Sequence, residues 1–198
     1  MPFPSPPWRL QGQLWLSLFA VRRGTPYRPA GLYGVAFVDY QTGGVLSYQE
    51  LLVARLVRDG AVPRAHVTDI WVNSEPSRDG GRSLWAMPKE LADLQVADRR
   101  AGGVARSTCS AATHGRPIAG ATFTAAPFAA VRAPLALTTL QHRADGSPVV
   151  AAVGGSARTL PCLGSWRFAA DGPLAWLQDR RPLLSLRLTD FRITFGGP

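Results

Sequence analysis

From Leu10 onward the chain alternates: Leu10, Leu14, Leu16 and Leu18 share one parity, and Gln11, Gln13, Trp15 and Ser17 the other. A period of two predicts a first strand with two distinct faces. Similar runs predict strands over Gly31–Tyr40, Leu46–Val57, Arg64–Asn73, Leu91–Asp98, Val104–Ala111 and Gly120–Ala125. Short strands separated by Gly- and Pro-containing turns point to an antiparallel sheet or barrel. Near the end, Leu184, Leu186 and Leu188 keep one parity while Phe191, Ile193 and Phe195 keep the other, which predicts a bulge near Thr189. The Ala- and Pro-rich segment Ala125–Pro134 reads as a connection.

One segment has helical character, Pro76–Ala86, with Asn73 and Ser74 available as caps and Pro76 suited to a first turn. Gly80 and Gly81 weaken it. Pro88 disfavours helical geometry at Met87, so the chain turns extended there and delivers Lys89 at a helix-to-strand junction.

With 198 residues, 46% of them hydrophobic, the chain can bury one substantial core, and a single domain over residues 1–198 is expected. No apolar run approaches the roughly 18 residues that span a bilayer, and the N-terminal stretch has no leader-like pattern, so a cytoplasmic protein without membrane contact is expected. Cys109 and Cys162 stand alone, which favours buried thiols over a disulfide framework, and His66, His114 and His142 are scattered. Neither a metal nor a cofactor is implied. The net charge of +9 comes from arginines dispersed in ones and twos, with no basic helix, so nucleic acid is not an expected partner. A positive field does attract small anions such as carboxylates.

Charge usage singles out one residue. Lys89 is the only lysine in the chain. Codon usage in an Arg-, Ala- and Gly-rich chain is one explanation; the other is chemical, because lysine can lose its proton and attack a carbonyl, which arginine cannot do. On the strand beginning near Leu46, Tyr48 and Glu50 fall on the same face as Leu52, Ala54 and Leu56. A glutamate on an apolar face is either a structural partner for a cation or a carboxyl group available for proton transfer.

The segment VTDIWVNSEPSRDGGRSLWAMPKEL resembles the signature of the acetoacetate decarboxylase superfamily, with Gly81, Arg82, Pro88 and Lys89 supplying its glycine-arginine pair, proline and lysine. Tyr48 and Glu50 match the family's tyrosine-x-glutamate strand, and PPWRLQGQLWLSL resembles its first strand. The resemblance implies a mainly β, α+β fold: an antiparallel, cone-shaped barrel enclosing an apolar cavity, with a few peripheral helices. It implies a cofactor-independent lyase in which Lys89, made neutral by burial, forms a Schiff base with a keto acid or related carbonyl compound, Glu50 acts as acid/base and Tyr48 orients it. Trp85 and Met87 would be apolar neighbours of the lysine, and a homo-oligomer is the expected assembly. The sequence departs from the decarboxylating pattern at three places. Glu90 replaces a second lysine, Gln13 stands where an arginine would contact the substrate carboxylate, and Tyr33 is nearest to the position of a second carboxylate. Arg82 is left as an alternative contact for that carboxylate. The leading reading therefore covers aldol or dehydration chemistry through the same Schiff base as well as decarboxylation; an imine-independent cyclase acting on a polyketide-like substrate in the same barrel is the second reading, and a non-catalytic, lipocalin-like binder of apolar ligands is the third.

Overall fold

The computed structural model describes residues 3–101, 103–125 and 130–197. Eleven strands are seen among them: β1 (Trp8–Val21), β2 (Gly31–Tyr40), β3 (Tyr48–Asp59), β4 (Val62–Val72), β5 (Lys89–Leu91), β6 (Asp93–Ala101), β7 (Val104–Thr113), β8 (Arg116–Ala125), β9 (Val131–His142), β10 (Pro148–Phe168) and β11 (Leu184–Gly197). One helix, α1 (Glu75–Trp85), lies between β4 and β5, and a single 3₁₀ turn covers Ala175–Leu177.

Strands β11, β1, β2, β3, β4, β9 and β10 pair in that order, and β10 pairs back onto β11. The result is a closed barrel. Strands β6, β7 and β8 extend it as an outer sheet, joined through the second half of β10, which pairs with β8 over Leu163–Phe168. The first half of that same strand, from Pro148, pairs with β9 in the barrel wall. A single 21-residue strand therefore belongs to both sheets.

Residues directly across an antiparallel ladder share a face. The pairings define inward rungs: Leu188, Leu14, Val38, Glu50 and Val72 form one, Leu186, Leu16, Ala36, Leu52 and Ile70 the next, and Leu184, Leu18, Gly34, Ala54 and Val67 the one after. Trp15, Phe19, Phe37, Leu51 and Val53 alternate with these and face outward. They pack with Cys109, Ile118, Phe123 and Phe168 between the barrel and the outer sheet. Both faces of β1 are thus used, which is why its polar parity contains a fully buried tryptophan.

The expected bulge is present. Gly12 pairs with Phe191 and Leu14 with Leu188, so β11 spends one extra residue at Thr189–Asp190, and Asp190 takes a left-handed φ of 46°. Two features differ from the expectation of a purely antiparallel sheet built from the predicted strands. Strand β4 pairs in parallel with both β5 and β9. The segment Ala125–Pro134, read as a connection, contains the start of β9 at Val131; its residues 126–129 lie outside the described residues. Strands β9 and β10 escaped prediction because alanines, Gly154, Gly155, Pro161 and Gly164 dilute their β signal. Gly155 needs to be small: a Cβ there would meet the Arg192 carbonyl oxygen at 2.0 Å.

Candidate active site

Lys89 enters the barrel wall by the route that its flanking sequence dictates. Ser74 caps α1, its hydroxyl accepting from the Ser77 N–H at 3.3 Å, and Pro76 sits in the first turn. Asn73 serves elsewhere, accepting from the Gln49 N–H at 2.7 Å. At the far end Ala86 adopts a left-handed φ of 53°, and the N–H groups of Ala86 and Met87 return to the carbonyls of Arg82 and Gly81. Pro88 then starts the extended run, and β5 pairs with β4 at Ile70, Trp71 and Val72. Lys89 pairs with Ile70, an inward residue.

The two glycines that weakened the helix prediction are required by contact. A Cβ at Gly80 would meet the Trp8 ring at 2.5 Å, and one at Gly81 would meet the Lys89 Cδ at 2.7 Å. The helix lies so close to the lysine stem that only hydrogen fits between them.

The Lys89 side chain is buried, and its Nζ has three partners: Glu50 Oε2 at 2.9 Å, Ser77 Oγ at 2.9 Å and the Tyr48 hydroxyl at 3.4 Å. The ammonium also lies 5.2 Å from the centre of the Tyr48 ring. The Tyr40 hydroxyl donates to the other Glu50 oxygen at 3.3 Å, and the Tyr40 ring stacks on Tyr48 with centroids 4.4 Å apart. Trp85 and Met87 belong to the same apolar cluster as Tyr48, Ile70 and Val72.

The electrostatics of this cluster correct the expectation of a lysine made neutral by burial. Desolvation does disfavour the ammonium, but Glu50 and Tyr48 outweigh it, and the Lys89 pKa is raised from its ordinary value. Burial also raises Tyr48, against the opposing effect of Lys89, and burial together with Glu50 lifts Tyr40 well above the usual tyrosine range. The raised pKa favours the ammonium form beside Glu50, and the amine becomes nucleophilic only after a proton leaves it.

Tyr48, Glu50 and Lys89 are brought together as the sequence suggested; Gln13, Tyr33 and Arg82 are not. Gln13 faces outward, because the inward parity of β1 belongs to Gly12 and Leu14. Its amide donates to Asp39 at 3.4 Å and accepts from the buried Arg187 at 3.0 Å, and Arg187 is ion-paired with Asp98. Tyr33 also lies on the outward face, donating its hydroxyl to the Pro29 carbonyl at 2.8 Å. Arg82 donates to the Lys89 main-chain carbonyl at 2.6 Å and pairs with Glu90, so it braces the junction from outside. Sequence reasoning missed Ser77 and Tyr40. Tyr40 was within reach, being two residues beyond Val38 on the same parity and opposite Tyr48. Ser77 becomes visible only once α1 is laid against the barrel.

Of the thiols, Cys109 is buried and pushed up to about 12, and Cys162 is half-buried and pushed up to about 11, both by desolvation. Among the described residues there is no helix long and apolar enough to cross a membrane.

The model of the acetoacetate decarboxylase family matches residues 25–158. Comparison with curated protein sequences finds no match. Among solved structures, the enduracididine biosynthesis enzyme MppR with HEPES buffer bound superposes with a TM-score of 0.69 at 18% identity, covering 98% of this chain and 87% of that one. An acetoacetate decarboxylase gives 0.65 at 17% identity, covering 98% and 89%. Acetoacetate decarboxylase from Legionella pneumophila gives 0.66 at 15% identity, covering 98% and 86%. At such low identity these superpositions show a shared fold and nothing finer.

Proposed function

Because the chain belongs to the acetoacetate decarboxylase family, whose members are enzymes, we propose that it is a lyase that forms a Schiff base between Lys89 and the carbonyl group of a small-molecule substrate. The observation that carries this reading is the buried contact of the sole lysine with Glu50 at 2.9 Å. The Lys89 ammonium passes a proton to Glu50, and the free amine attacks the substrate carbonyl carbon. The carbonyl oxygen is protonated and leaves as water. The resulting protonated imine withdraws electrons from the neighbouring carbon, where either carbon dioxide or a proton departs; reprotonation and hydrolysis then return the lysine. Glu50 holds the mobile proton, Tyr48 and Ser77 orient the nitrogen, and Tyr40 fixes the carboxylate. The fold neighbour MppR has been solved with pyruvate and with a condensation product of pyruvate and imidazole 4-carboxaldehyde. Carbonyl condensation is therefore proposed alongside decarboxylation.

Borohydride reduction in the presence of a ketone or keto acid tests the proposal. It converts an imine into a stable amine, so one reduced adduct is expected, on Lys89. A fully active enzyme with no adduct overturns the imine. The raised Lys89 pKa favours a second reading for that case, in which a permanent ammonium polarises a carbonyl without covalent attachment, as in a cyclase.

A further inference from the structure

The barrel strands seal their outward face more completely than their inward one. Trp15, Phe19, Phe37, Leu51 and Val53 are all fully buried on the outward side. Inward, on the rung of Glu50, Val38 and Val72 are at 1% and 0% exposure, Leu188 is buried and Leu14 is half-buried. One rung further on, Leu16, Leu52 and Leu186 are only half-buried. Beyond them Leu184 is 45% exposed, and Leu56, next in parity after Ala54, is 50% exposed. Along β3 and β11 burial thus declines from the lysine toward one end of the barrel, while Ala36, Ile70 and Val67 on the neighbouring strands stay buried. The lumen is packed around the polar cluster and lined, on its β1, β3 and β11 side, by leucines that keep partial exposure toward that end.

Leucines on a concave inner wall keep contact with water only where the space they enclose is unfilled, and water held against such a wall is displaced favourably by hydrocarbon. No arginine stands on the three inward rungs. Binding energy along this path therefore comes from apolar contact. From Glu50 to Leu56 is six residues along β3, roughly 20 Å of strand, or about 15 Å of depth at the usual barrel tilt. That is far deeper than a short keto acid requires.

We infer that the lumen beyond Lys89 is a channel for the apolar tail of the substrate, which lies with its carbonyl at the lysine and its hydrocarbon along Leu16, Leu52 and Leu186 toward the rim at Leu56 and Leu184. The placement of the carbonyl rests on the imine reading above; the channel itself does not. The substrate class is a carbonyl compound bearing a hydrocarbon chain, and chain length sets specificity.

Two series of probes separate the two claims. Hexanol, octanol and decanol carry no carbonyl, so their binding to the wild-type protein, followed by calorimetry, reports the channel alone. Each buried methylene contributes about 0.8 kcal/mol, so the dissociation constant is expected to fall roughly fourfold per methylene. Methyl ethyl ketone and methyl hexyl ketone, trapped on Lys89 by borohydride, report the tail and the imine together, and half-saturation should fall with the same slope. Leu16→Asn and Leu186→Asn should flatten both slopes in protein whose far-ultraviolet circular dichroism is unchanged, with Leu18→Asn as a further variant should either fail to fold. Trapping of both ketones with equal half-saturation and no alcohol binding overturns the channel while leaving the imine standing. Steep alcohol binding without any ketone adduct supports the channel and overturns the imine. Slopes unaltered by the leucine variants overturn the channel.

Discussion

The Lys89 ammonium and the Glu50 carboxylate form a buried ion pair at 2.9 Å, and each has further partners of its own: Ser77 and Tyr48 for the nitrogen, Tyr40 for the second carboxylate oxygen. A buried charge that loses its partner is costly, typically 3–5 kcal/mol, whereas removing both charges together is often neutral. Glu50→Gln is therefore expected to lower turnover by roughly 10² to 10⁴ and to lower stability by about 3 kcal/mol or more. The double variant Lys89→Met, Glu50→Leu should recover most of that stability while remaining inactive. Urea unfolding of the three proteins measures this; a double variant less stable than Glu50→Gln would mean that the pair is a net stabilising element.

The pH dependence of stability has a definite sign. The folded pKa of Lys89 is raised above its unfolded value of about 10.4, so the stability that its protonation contributes is complete below that pH and is lost as pH rises through the folded value. Tyr40 and Tyr48 are also raised, and their contribution is lost in the same direction above about pH 10. Unfolding free energies measured as the pH is raised from about 9, below the ordinary values of these groups, should fall more steeply for wild type than for Lys89→Met. Imine formation runs the other way: the rate of borohydride-trapped adduct formation should rise with pH up to the onset of unfolding, because the amine must be neutral to attack.

Gly80→Ala and Gly81→Ala should fail differently. The Trp8 ring that a Cβ at position 80 would strike is packed edge-on to Trp85 at 4.8 Å and cannot retreat, so overpacking should cost about 1–3 kcal/mol. At position 81 the clash is with the stem of Lys89, so the lysine is displaced. Gly81→Ala should show a loss of adduct formation larger than its loss of thermal stability, and Gly80→Ala the reverse.

Placing a carboxylate-binding arginine requires the inward parity of β1. Gln13→Arg would set a second guanidinium beside Arg187 on the outward face and should leave carbon dioxide release from acetoacetate no higher than in wild type. Leu14→Arg points toward Glu50 across Val38 and is the variant in which release should increase, provided that the imine forms. An increase with Gln13→Arg alone would show that β1 is read in the wrong register.

These contrasts mark what the sequence could carry. Period-two alternation located β1 to β4 and the bulge at Thr189–Asp190, because ladder parity is a local property. Pro88 and Ser74 located the junction that carries Lys89, since backbone restriction is local too. The assignment of Gln13 and Tyr33 went astray for a nonlocal reason: alternation shows that a strand has two faces, and with both buried nothing in β1 or β2 tells which one looks into the lumen. Strands β9 and β10 were missed because their stability lies in long-range pairing rather than in residue preference. Ser77 depended on how α1 lies against the barrel, which is set by the glycine contacts at 80 and 81 together with the packing of Trp85.

Where β4 leaves β9 for β5, the ring is completed by a side chain. Strands β4 and β9 share a single backbone partnership, Ala65 with Thr139, and next to it the buried Gln141 amide takes the place of a neighbouring peptide, accepting from the Val67 N–H and donating to the Val67 carbonyl, each at 2.9 Å. A ladder rung made by a rotatable side chain can be withdrawn without unzipping the strands on either side. The barrel is therefore a hoop with a clasp mounted on β9, and it grips the strand that also carries β5 and its lysine. Amide exchange should begin at Val67 well before it reaches the β1–β2 ladder, and Gln141→Leu, which removes both bonds, should leave the hoop assembled but held across this seam by Ala65–Thr139 and by the His66–Leu140 and Arg64–Thr138 bonds.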